Sequence, residues 1–102
     1  MSYVVVTTFP GITVDAFEKL LGKNEATLKR LEAVAREAGA LRHMFVADSD
    51  DNVLVVDEWS SVEDFERFFG GQDDIKMMLE DAGITGPPTT VAYRVLDAPD
   101  RF

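Results

Sequence analysis

The sequence has 102 residues, enough for one domain with a real core, and its 19 Asp and Glu outweigh 10 Lys and Arg to give a net charge of -9. That charge repels phosphate backbones and anionic lipid heads, so neither nucleic acid nor a membrane surface is an expected partner. The lack of cysteine excludes disulfides, thiolate catalysis and Cys-based zinc or iron-sulfur sites, and the start M-S-Y-V-V-V lacks the basic region and long apolar run of a signal peptide. A cytoplasmic domain is the expectation.

Residues 3–8 are β-branched and apolar, and Phe9-Pro10-Gly11 breaks them with turn chemistry, which predicts a first strand and a loop. Thr13 is a fair N-cap for the next segment. There Phe17, Leu20, Leu21, Leu28, Leu31, Val34, Ala35 and Ala38 keep a helical period with a weak point at Gly22 and Asn24, so one long helix or two in line are expected. Gly39 ends this stretch, and residues 41–47 read as a second strand. Asp48-Ser49-Asp50-Asp51-Asn52 then forms the hairpin loop into a third strand. Asp48, Asp50 and Asn52 have the first spacings of a calcium loop, but Val53 stands where that loop needs Gly, and a solvated turn is expected instead.

Val53, Leu54, Val55 and Val56 are an unbroken apolar run, which marks a strand covered on both faces. Ser60 with Glu63 three residues later reads as a capping box, so a helix begins just after Trp59, with Val62, Phe65, Phe68 and Phe69 on its apolar side. Gly70-Gly71 interrupts it, and Asp73 or Asp74 caps a further segment with Ile75, Met78 and Leu79 before Gly83. Pro87-Pro88 excludes helix, residues 89–96 are a last strand, and residues 97–102 a short tail.

The order β-α-β-β-α-β predicts an α+β, ferredoxin-like fold, one four-stranded antiparallel sheet with its helices on a single face. Alternation sets Leu41, His43 and Phe45 against Met44 and Val46, and Val53 and Val55 against Leu54 and Val56, so both faces are apolar. Helices cover one face only. A homodimer through the face of Met44, Val46, Leu54 and Val56 is the simplest cover for the other.

His43 is the only histidine, the side chain that exchanges protons near neutral pH. Alternation and the hairpin place it near Trp59 under the helices, and Asp57 falls on the same side, able to orient His43 or to serve as a structural hydrogen-bond acceptor. Adjacent Asp57 and Glu58 face opposite sides and cannot act as a carboxylate pair. Of Tyr93 and Arg94 only one can reach a pocket, and Tyr93 is the better candidate, as a phenolic donor. Phe65, Phe68, Phe69, Met77 and Met78 would make the pocket wall apolar. Each of these residues also fits a plain core role.

The stretch D-E-W-S-S-V-E-D-F, from Asp57 to Phe65, resembles the dimeric α+β barrel proteins of the antibiotic biosynthesis monooxygenase type, with G-A-L-R-H-M-F from Gly39 and G-P-P at Gly86 similar to small bacterial members. The resemblance implies one such domain over residues 1–102. It also implies an activity drawn from a varied group: cofactor-independent oxygenases of polyphenols and quinones, haem-degrading enzymes, or no assigned function. The oxygenases place a Trp at Trp59 and a His near His43, while an Asn that some of them carry falls at Val55. Haem-degrading members use an Asn, a Trp and a His where this chain has Thr7 or Thr8, Phe68, and Met78 or Leu79, so neither haem nor another cofactor or metal is expected.

Two functions follow as expectations. In the first, a cofactor-free monooxygenase acts on a small aromatic or quinone-like substrate, with His43 as base, Asp57 orienting it, and Trp59, Phe65, Phe69, Val55 and Tyr93 around the substrate. In the second, a non-catalytic dimeric module binds a small apolar ligand or another protein. A cavity of roughly 300 Å³ or more beside His43 would mark a ligand site, and a filled core a structural histidine.

Overall fold

A computed structural model describes residues 1–84 and 86–102. Its central strand, β3 (Val53–Trp59), is the apolar run with Asp57, Glu58 and Trp59 appended, and every second residue from Val53 is buried under helices. On one side β3 pairs antiparallel with β2 (Ala40–Ala47), and on the other with β1 (Tyr3–Phe9), which in turn pairs with β4 (Thr89–Arg94). The sheet order is β2-β3-β1-β4, the ferredoxin-like arrangement expected. The two inner strands are the apolar ones, because they alone have neighbours on both edges.

The helices are α1 (Val14–Lys23), α2 (Glu25–Ala38), α3 (Val62–Gly70) and α4 (Asp73–Asp81). The expected weak point is a real break at Asn24, whose side chain donates to Leu20 O at 2.9 Å while its own carbonyl starts α2 by accepting from Leu28 N. Thr13 caps α1, its hydroxyl accepting from Ala16 N at 3.1 Å. Phe17, Leu31 and Phe65 are the residues by which α1, α2 and α3 bury themselves against the sheet.

Four local expectations shift by a residue or two, the simplest being the N-cap of α4, which is Gln72 instead of Asp73 or Asp74. The cap of α3 is Ser61, not Ser60: Ser61 Oγ accepts from Asp64 N at 3.1 Å, while Ser60 Oγ donates to the Asp64 carboxylate at 2.8 Å. These hydroxyls, Ser60 first and Ser61 next, hold the Asp64 carboxyl below its usual range. The second strand begins at Ala40, and Leu41 is an extra residue between Ala40, opposite Trp59, and Arg42, opposite Glu58. At this β-bulge Leu41 is exposed and has no ladder partner, so the strict alternation that groups it with His43 and Phe45 is broken there. The last strand ends at Arg94, after which Val95 N donates to Ser2 O at 2.9 Å.

The loop at residues 48–52 is a self-bonded turn. Asp48 Oδ1 accepts from Asp50 N and Asn52 N, both at 2.9 Å, and Asn52 Nδ2 donates to Asp48 Oδ2 at 3.0 Å. These bonds, the Asn52 side chain foremost, keep the Asp48 carboxyl below its usual range and fix the hairpin that sets the β2–β3 register.

The face of the sheet away from the helices carries Val4, Val6, Met44, Val46, Leu54, Val56, Val91 and Tyr93, of which Met44, Val46, Val91 and Tyr93 are exposed. Glu58 also points there but is buried, because Ser2 Oγ donates to it at 2.5 Å, Arg101 at 3.0 Å, and Arg42 lies 3.3 Å away. No helix among the described residues is long and apolar enough to cross a membrane.

The junction between α2 and α3 gives a direct test of this packing. Gly39 has φ 122°, its carbonyl accepts from Ser60 N at 3.0 Å, and an added Cβ would lie 2.5 Å from Ser60 Oγ and 2.9 Å from the Asp64 carboxylate. Gly39→Ala should therefore lower unfolding stability in urea by about 1–3 kcal/mol. Replacement of Gly22, whose Cβ would meet open space, should cost far less.

Candidate active site

The β2–β3 register sets His43 directly opposite Asp57, both facing the helices. His43 Nδ1 and Asp57 Oδ1 are 2.6 Å apart. An ionised carboxylate can only accept, so opposite an ionised Asp57 it is Nδ1 that donates, and a neutral imidazole in that tautomer has its lone pair on Nε2. Asp57 is 7% exposed, and His43 is its only side-chain partner among the described residues. A charge-assisted bond in such a dry place is stronger than one in water. The His43 side chain itself stays half exposed, because β2 is an edge strand.

Beside this pair lies a cavity of about 550 Å³ between the sheet and all four helices. Two aromatic groups wall it. On one side the His43 ring stands edge-on to Phe45 at 4.8 Å, Phe45 meets Phe17 at 5.0 Å, and Phe17 stacks on Phe9 at 5.8 Å. On the other, Trp59 meets Phe68 at 5.4 Å and Phe65 at 5.8 Å, and Phe65 stacks on Phe69 at 5.5 Å. Asp57 sits on β3 between Val55 and Trp59, one inward position from each, so the polar pair lies where the two aromatic walls meet.

Trp59 is 2% exposed, and its indole N–H finds no partner among the described residues. Trp59 itself borders the cavity, but its nitrogen is sealed in the wall as an unpaired buried donor. Thr7 Oγ1 is the other buried side-chain atom without a partner among the described residues. It faces the helices between Val55 and Thr90 and does not border the cavity.

Of the residues singled out in the sequence, His43, Asp57, Trp59, Val55, Phe65, Phe68, Phe69 and Met78 all border this cavity. Tyr93 does not, and its assignment to the pocket is corrected. The β1–β4 register pairs it with Val4, so the phenol stands exposed on the opposite face, and Arg94 holds the helix-facing position. Met77 likewise points away from the cavity into solvent. Among the residues missed were Phe17 from α1 and Leu28 and Leu31 from α2. Their spacing marks them only as apolar helix positions; their approach to the strands is a long-range contact that no local pattern encodes.

No family model matches the chain, and no curated protein matches it. Solved structures do. A Streptomyces coelicolor monooxygenase from the gene ActVA-Orf6, determined with nanaomycin D, is 23% identical, with 95% of this chain and 89% of that chain covered and a TM-score of 0.65. The fold is that of antibiotic biosynthesis monooxygenase-like proteins. SnoaB, a cofactor-independent oxygenase from Streptomyces nogalater, is 14% identical over 98% of this chain and 96% of that one, with a TM-score of 0.58. A dimeric ferredoxin-like protein from an uncultured marine organism is also 14% identical, over 99% and 93%, with a TM-score of 0.70.

The unpartnered Thr7 hydroxyl offers a measurement of how this layer is packed. Thr7→Val keeps the shape and removes a buried hydroxyl with nothing to bond, so it should raise stability by about 1 kcal/mol in a denaturant titration.

Proposed function

We propose that the protein is a cofactor-independent monooxygenase of small, planar phenolic or quinol-like substrates, active as a homodimer. The observation that carries this reading is the His43–Asp57 pair facing an apolar cavity, with a free acceptor nitrogen on the imidazole. In the dry centre of such a site a base need only take one proton. His43 Nε2 accepts it from an activated C–H or O–H of the substrate, and Asp57 stabilises the imidazolium that forms.

The substrate carbanion then reduces dioxygen, a hydroperoxide forms on that carbon, and loss of water leaves a carbonyl. One oxygen atom stays on carbon and the other leaves as water. The substrate carbon supplies all four electrons, two as the carbanion pair that bonds to oxygen and two from its remaining C–H bond as water is lost, so the reaction needs no further reductant. Trp59, Phe65, Phe69 and Phe45 offer aromatic faces to the substrate ring. The cavity volume lies within the range of small-molecule sites, which favours a ligand over a filled histidine core.

A screen of quinols and polyphenols by oxygen uptake tests the reading. His43→Ala should lower turnover by roughly 100-fold or more on an accepted substrate, and Asp57→Asn should lower it with little change in substrate binding. An unchanged rate in His43→Ala would return the histidine to a structural role. The second reading, a ligand-binding module without catalysis, is favoured by the scarcity of polar groups along the cavity's sheet wall. It predicts saturable binding of the same compounds with no oxygen consumed.

The dimer proposed here uses the outer sheet face. Met44 and Val46 are exposed there beside the half-buried Leu54 and Val56, and sheet-to-sheet packing covers apolar area that a monomer leaves wet. The dimeric ferredoxin-like neighbour supports it. Sedimentation at micromolar concentration should give a dimer, and Val56→Asp should shift it to monomer by placing an unpaired charge in the seam. A wild-type monomer would reject this arrangement.

A further inference from the structure

We infer that α4 is the lid of the cavity and that the Arg30–Asp74 ion pair is its latch. The inference rests on the reading that the cavity takes a ligand, and it holds whether or not that ligand is oxidised. Each of the other helices sinks a residue into the core, namely Phe17, Leu31 and Phe65, whereas α4 buries none. Its inward residues Ile75, Met78 and Leu79 are only half-buried, and all three border the cavity. Leu79, near the C-terminal end, packs on the core cluster, but where the rest of the inward face meets open cavity the helix gives up contacts its neighbours have.

The local chemistry of α4 is also poor for a fixed helix. Gln72 at its N-cap makes no side-chain cap bond. Its last turn holds Glu80 and Asp81 with no basic residue, so two negative charges face the negative end of the helix dipole. Glycine stands at both joints, with Gly70 and Gly71 before the helix and Gly83 at φ 79° after it.

The two ends are not equivalent. Past Gly83, Ile84 is buried with Phe9, Phe17 and Val53, which makes the C-terminal joint the fixed one. At the other end, the only side-chain hydrogen bond or ion pair from α4 to another element among the described residues is Asp74 with Arg30 of α2. Both partners are partly solvent-accessible, and an ion pair that water reaches holds weakly and is screened by salt. Opening therefore swings the Asp74 end away from α2 and uncovers Ile75 and Met78, a local motion that leaves the sheet and α3 intact.

The cysteine-free chain makes the test direct. An Arg30→Cys/Asp74→Cys variant is joined by a short bismaleimide, with N-ethylmaleimide on the same two thiols as control, and entry of N-phenyl-1-naphthylamine is followed by stopped-flow fluorescence. The joined protein should take up this uncharged probe at least tenfold more slowly than the control. Equal rates overturn the lid. Should the control take up no probe at all, the ligand reading of the cavity fails, and hydrogen exchange decides the lid separately. Amides of α4 exchanging together and faster than those of α2 and α3, and slowed by the crosslink, support it. Amides of α4 as protected as those of α3 overturn it.

Discussion

A carboxylate in the middle of a sheet, facing a layer of helices, is the constraint on which the rest of this structure depends. Asp57 is almost fully buried, and an unpaired charge there would cost several kcal/mol. His43 resolves the conflict from the neighbouring strand, which demands one register between β2 and β3. The hairpin bonded on Asp48 holds that register at one end, and the bulge at Leu41 absorbs a residue at the other. Without the extra residue Ala40 and His43, three positions apart, would face opposite sides. The bulge lets Ala40 pack on the cluster around Trp59 while His43 still reaches Asp57.

The next residue meets the same problem on the other face. Glu58 is as buried as Asp57, and Ser2, Arg42 and Arg101 surround it, so two adjacent charges are carried through the sheet in opposite directions. Their partners differ in kind. Two guanidinium groups and a hydroxyl hold Glu58 in a fixed ionic knot and tie the tail to the N-terminal strand. One imidazole holds Asp57 and keeps a ring nitrogen free, which suits proton exchange better than anchorage.

Much of this was legible in the sequence because the signals were local. The unbroken run from Val53 to Val56, the Gly39 stop and the Asp48 to Asn52 turn each act within a few residues, and together they define the element order. That His43 and Asp57 share a face followed from the hairpin and the period of two, while their hydrogen bond was one of two roles open to Asp57. What escaped was what depends on neighbours far along the chain. The Leu41 bulge answers to Trp59 across the ladder, and Ser61 takes the cap because Ser60 is engaged with Gly39 and Asp64. Of Tyr93 and Arg94 the sequence favoured the phenol for the pocket, and the β1–β4 register turns it to the other face. Phe17 joined His43's aromatic wall through Phe45, a tertiary contact invisible to helical spacing.

Strand order also decides how the proposed base communicates with water. β2 is the edge of the sheet, so His43 has a strand on one side only and stays half exposed, while Asp57 on β3 is sealed between two strands. A proton taken from a ligand in the cavity can thus leave from the exposed ring without crossing the apolar interior, and the carboxylate that stabilises the charged imidazole never has to be wet. Reversing the two residues would put the histidine deep in the sheet, where its charged form is penalised, and the carboxylate at the edge, where water would compete for it. The arrangement found gives the histidine a route to solvent and the aspartate a low-dielectric site, and both follow from β3 being central and β2 being last in the sheet.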